Sequence, residues 1–165
     1  MCIRDRLLDN NSYVCVHNME DMNAGMSGTI IANKEFLEES EDAVVTYLEG
    51  ALEVLLWLSD EANNEQAAEW FSEVMLDEFG VETTKEEALT NIELVGFRDL
   101  DFYEGLCEVG DDGLTGMQRE FGKFFDYHVT MGSYDESQRD EILEAVDTTY
   151  LEKAIELYKA NQNME

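Results

Sequence analysis

The residues of this 165-residue chain that could do chemistry are its 39 acids, two histidines and three cysteines. A cation site is the first chemistry such acids suggest. Asp111-Asp112-Gly113 and Asp99-x-Asp101 are the closest approaches to one, but both lack the alternating acids, central glycine and terminal glutamate of a calcium loop. Cys15-x-His17 has no second Cys or His pair at zinc spacing. Neither His17 nor His128 has an acid–base neighbour in sequence, and there is no Gly-rich phosphate loop, G-x-S-x-G or HExxH. With carboxylates so abundant, any pairing of two for proton transfer is arbitrary. The residues therefore predict no enzyme, no cofactor and no metal. Cys2 lies in an unusual leader, while Cys15 and Cys107 read as buried thiols rather than a disulfide.

The elements that would position these groups are mostly helical. Residues 27–59 organise the chain: Gly28 to Ala32 is a short apolar run with strand character, residues 34–37 turn helical, and Ser40 is the expected N-cap of a long amphipathic helix. In that helix Val44, Leu48, Ala51, Leu52, Leu55 and Leu58 recur at steps of three and four. Asn63 with Gln66 predicts a second helix start, ended by Gly80. Thr84 with Glu87 spells a capping box. The periodicity predicts helices over 42–59, 64–79, 85–91, 114–131 and 148–160, the last capped by Asp147. Residues 97–109 read as helical with an interruption at Gly105, and 134–145 as a short acidic helix. Strands are expected at 13–17, 28–32 and 92–95, which makes the chain α/β and predominantly helical. The band Phe121, Phe124, Phe125, Tyr127 and His128 falls at helical spacing and reads as core.

Three segments in order carry a family resemblance. They are ANKEFLEES (32–40) followed by DAVVTYLEGALEVLLW (42–57), then VGFRDLDFYEGL (95–106), then FFDYHVTMG (124–132) followed by AVDTTYLEKA (145–154). This series resembles the ABC-transporter solute-binding proteins of the nitrate, taurine, aliphatic-sulfonate and thiamine-precursor type. One departure is that the family usually carries a proline near residues 40–42, whereas this chain has none. The resemblance implies the C-terminal portion of a two-lobed, type II periplasmic-binding-protein fold. On it, residues 7–28 are the end of the second lobe and a crossover loop, and residues 29–165 are the C-terminal part of the first lobe. Residues 1–6, MCIRDR, resemble a translated sequencing-adapter remnant of metagenomic assemblies and are set aside as a non-native leader.

Function follows from the same resemblance. Such a protein captures a small organic solute, sulfonate-, nitrate- or pyrimidine-like, between its lobes and delivers it to an ABC permease. It works outside the cytoplasmic membrane, as a monomer. Ligand contacts in the family cluster near the lobe-crossing strands, so Asn18, Asn23 and Ser27 become candidate hydrogen-bonding residues and Met22 and Met26 candidate apolar contacts. The pyrimidine synthase of this fold carries a cysteine-rich motif that is missing here.

Composition sets outer bounds. A formal charge of −29 disfavours nucleic acid, whose phosphates require clustered Lys and Arg. The acids read instead as the solvated exterior of a secreted or salt-adapted protein. The 44% of hydrophobic residues is enough to argue against disorder. The alternative function, from another class, is a stand-alone acidic helical module that binds partner proteins through an apolar groove.

Overall fold

The computed structural model describes residues 30–162. Eight α-helices follow one another there: α1 Lys34–Glu39, α2 Glu41–Ser59, α3 Asn64–Phe79, α4 Lys85–Val95, α5 Leu100–Cys107, α6 Gly116–Thr130, α7 Arg139–Glu144 and α8 Thr149–Gln162. Short 3₁₀ turns, Glu61–Asn63 and Glu136–Gln138, lead into α3 and α7. The chain is thus predominantly helical, as expected.

The expected strands do not appear among the described residues. Ile30 and Ile31 join no ladder among the described residues and are 65% and 91% exposed. The run 92–95 is instead the last turn of α4. The capping box at Thr84 launches that helix, which places Ile92 one turn beyond Ala88 on the same buried face. Burial at helical spacing outweighs the β-propensity of an Ile-Glu-Leu-Val run, and Gly96 at φ 63° then ends the helix. Among the described residues the one sheet-like contact is an isolated antiparallel bridge between Val109 and Thr115. Residues 13–17 lie outside the described range.

Two expected caps act differently from their sequence reading. Ser40 makes no side-chain cap; its backbone N–H instead closes α1 on the Phe36 carbonyl, so α1 and α2 meet with one residue between them. Asn63 donates its side-chain N–H to the Trp57 carbonyl at 2.8 Å, and Asp60 starts the turn before α3 by accepting from the Ala62 N–H. Thr84 and Thr115 do form complete capping boxes, and Asp147 accepts from the Thr149 N–H.

Packing runs α4–α3, then through Trp57 and Leu58 to α2, then α8, α5, α6 and α7. Ala67, Ala68, Ala88 and Ile92 form the α3–α4 seam, where small side chains let the two backbones approach. Trp57 stacks on Trp70 at 5.3 Å and 22° to tie α2 to α3. The buried side chains of α2 and α8 are Leu52 on one, Ala154 and Ile155 on the other. Lys153 pairs with Glu41, and Asn161 donates to Glu49. Both contacts advance in the same direction along the two helices, so α2 and α8 lie parallel.

At the other end, a Cβ on Gly116 would run into the Gly105 carbonyl and the Leu106 Cα, so glycine lets the head of α6 sit on α5. Gln118 donates to the Leu143 and Val146 carbonyls at 3.0 and 3.4 Å, anchoring α7 beside α6 over the buried Phe125 and Leu143.

Candidate functional site

The residues that the sequence singles out for solute contact, Asn18, Met22, Asn23, Met26 and Ser27, lie outside the described residues, as do Cys15 and His17. His128 is described. It sits half-buried among Phe124, Tyr127 and Tyr134, with ring centroids at 4.4, 5.5 and 5.5 Å. Of the aromatic band, Phe125 is core, whereas Phe124 and Tyr127 are exposed, since a single helix cannot bury neighbours on both flanks of one stripe.

The acids considered for cation binding hold the chain's own backbone. Asp99 accepts from the Phe102 N–H as the N-cap of α5. Asp112 accepts from the Leu114 N–H and pairs with Arg119 at 3.2 Å, and these contacts hold its carboxyl below the usual range. Among the described residues no three His, Cys, Asp or Glu side chains gather closely enough for a metal ion. Cys107 is half-buried, and burial, then Glu152 and Glu104, push its thiol up to about 11. A thiol so protonated is a poor nucleophile.

What the fold does assemble is an open cleft of about 550 Å³, lined by Ser59, Phe97, Arg98, Asp99, Asp101 and Phe102. A smaller hollow of about 220 Å³ adjoins it, shares Ser59 and Phe97, and adds Glu61 and Glu93. The C-terminal ends of α2 and α4 meet the head of α5 here. Sequence periodicity places Phe97 inside a helix, but residues 96–99 are non-helical and α5 begins at Leu100. The signal that reveals this is Asp99 itself, a strong N-cap residue that follows a helix-ending Gly96. Freed from the helix, the linker turns its side chains to the cleft.

The chemistry of the cleft is mixed. The Arg98 guanidinium lies 5.7 Å above the Phe102 ring and forms no ion pair among the described residues. Ser59 spends its hydroxyl on the Leu56 carbonyl at 2.7 Å. Asp101 lines the cleft, and Glu61 and Glu93 line the adjoining hollow. No described helix is long and apolar enough to cross a membrane. Comparison of the chain with protein-family models, curated proteins and solved structures finds no match in any of the three.

Proposed function

We propose that this chain is the C-terminal half of a two-lobed solute-binding protein of the nitrate, taurine, aliphatic-sulfonate and thiamine-precursor type. In the whole protein a small organic solute is captured between the lobes outside the cytoplasmic membrane, and hinge closure presents it to an ABC permease. The observation that supports this reading is α2. Its Lys153- and Asn161-contacted side lies parallel to α8, while Tyr47 and Val54, seven residues apart on another face, are 65% and 56% exposed. Parallel neighbouring helices are what βαβ crossovers produce, because each helix on one face of a parallel sheet returns the chain in the same direction. A helix apolar on two faces is built to be covered on both. The exposed, β-branched Ile30–Ile31 pair is of the residue type that joins such a sheet.

Each large apolar side chain left uncovered forgoes roughly 1.5–3 kcal/mol against a domain's margin of about 5–15 kcal/mol. The chain alone should therefore bind 8-anilinonaphthalene-1-sulfonate, unfold over a broad range, and bind no solute. The same chain joined to its upstream coding region should melt sharply and bind an alkanesulfonate, nitrate or a pyrimidine in calorimetry. Sharp two-state melting of a dye-free monomer of this chain would favour the second reading, a self-sufficient acidic helical module that binds partner proteins. That the named elements among the described residues are all helices favours that alternative.

A further inference from the structure

We propose that the cleft between the ends of α2 and α4 and the head of α5 docks a basic polypeptide partner, seating an arginine or lysine side chain on the Phe102 ring. Three observations converge on that occupant. The cleft presents aromatic surface: Phe102 is 45% exposed, and Phe97 lines both hollows. Its rim is acidic, with Asp101 beside the rings and Glu61 and Glu93 in the adjoining hollow. Finally, the chain's own Arg98 already rests over Phe102, showing that this ring face accepts a cation on an alkyl stem.

The charge sign decides against the opposite assignment. An anion drawn to Arg98 would meet Asp99 and Asp101 in the same cleft and a protein of formal charge −29. A cation is attracted by that net charge at long range and by Asp101 in the cleft, with Arg98 as its competitor at the ring. The openness of the cleft decides between a small cation and a side chain carried by a polypeptide. Small-molecule sites enclose most of their ligand, whereas an open cleft holds a group whose neighbours make further contacts outside it.

The test uses the full chain and a fluorescein-labelled hexa-arginine peptide, read by fluorescence anisotropy. Phe102→Ala should weaken binding about two- to five-fold, the range of an exposed cation–π contact. Arg98→Ala should tighten it by a similar factor, since it removes a competing cation from the ring. Unchanged or weaker peptide binding by Arg98→Ala would mean that the peptide does not use the ring face that Arg98 covers, and the proposal fails. Asp101→Asn should weaken binding more than Asp77→Asn, which makes the same charge change about 20 Å away toward the far end of α3. Equal effects of the two would reveal attraction to overall charge alone and overturn the cleft as the site. Competition by free arginine amide at the peptide's own concentration would overturn the polypeptide partner. Circular dichroism of each variant separates lost binding from lost helix, and the expected gain in Arg98→Ala does not depend on a folding defect.

Discussion

Lys153 on α8 reaches the Glu41 carboxylate at the head of α2, Nζ to Oε1 2.6 Å, across 112 positions of chain. Eight residues further along both helices, Asn161 meets Glu49 at 3.2 Å across the same sequence separation. The pair of contacts sets the direction and register of two helices that no local signal relates. Hydrogen bonding to Glu41 is the main reason that the Lys153 pKa is raised. Its contribution to stability is therefore present below the ordinary lysine value of 10.5 and lost as pH rises through the higher folded value. Reversing either charge, as Lys153→Glu or Glu41→Lys, should lower the melting temperature, and the double reversal should recover most of the loss. A double variant no better than the two single losses combined would show that the pair does not couple α2 to α8.

Gly116 and Gly105 face each other with opposite tolerance. Gly116→Ala drives a methyl group into the backbone of α5 and should cost about 1–3 kcal/mol. Gly105 is inside α5, with nothing within 4 Å of an added Cβ, so Gly105→Ala should stabilise by about 0.5–1 kcal/mol through helix propensity. Urea midpoints of the two variants should move in opposite directions.

Ser40 and Thr84 both stand at N-cap positions, and of these two only Thr84 caps. Thr84→Ala removes a complete capping box and should cost about 0.5–2 kcal/mol, whereas Ser40→Ala, which removes no side-chain cap, should fall near zero. Thr84 also holds the Glu87 carboxyl below the ordinary glutamate value of 4.5, through its backbone N–H first and its hydroxyl second. That contribution is present above 4.5 and is lost as pH falls through the lowered folded value. The stability gap between wild type and Thr84→Ala should narrow on acidification, as measured by urea unfolding from pH 7 to pH 3.

Cys107, with its thiol pushed up to about 11, should be nearly inert to iodoacetamide at pH 8 in the folded chain. Against a thiol at the ordinary value of 9.0, its thiolate fraction is smaller by about two orders of magnitude. Peptide mapping should find Cys107 labelled slowly until urea is added, and rapid native labelling would contradict the burial of the α5 end. The folded state also binds this proton more tightly than the unfolded chain, so its contribution to stability is lost as pH rises from about 9 toward 11.

Salt should stabilise this chain. Ten bases cannot neutralise more than ten of 39 acids, so repulsion outweighs pairing. Exposed pairs such as Lys85–Glu65 weaken with salt but are individually minor, whereas screening shortens the reach of every repulsion from about 30 Å at 0.01 M to about 3 Å at 1 M. The melting temperature should rise over that range of sodium chloride, and a fall would mean that the ion pairs dominate.

The sequence by itself determined what depends on neighbours within a few residues. The helical turn at Thr84 and the stop at Gly80 are local hydrogen-bond and φ requirements, written in residue types three or four positions apart. Helical periodicity likewise marks where α2, α3, α6 and α8 run, to within a residue or two at their ends. Only the tertiary structure decided questions that turn on what lies across from a segment. The run 92–95 has a strand's composition and became helix because Ile92 had Ala67, Ala68 and Ala88 to pack with. Ile30 and Ile31 have the same apolar character but no described partner ladder, and they remain outside any described helix and exposed. The cleft escaped the sequence because Phe97 and Phe102 belong to it only once the ends of α2 and α4 are brought to the head of α5. Parallel pairing of α2 with α8 escaped it for the same reason: contacts 112 residues apart leave no period in the chain, and burial, not spacing, selects them.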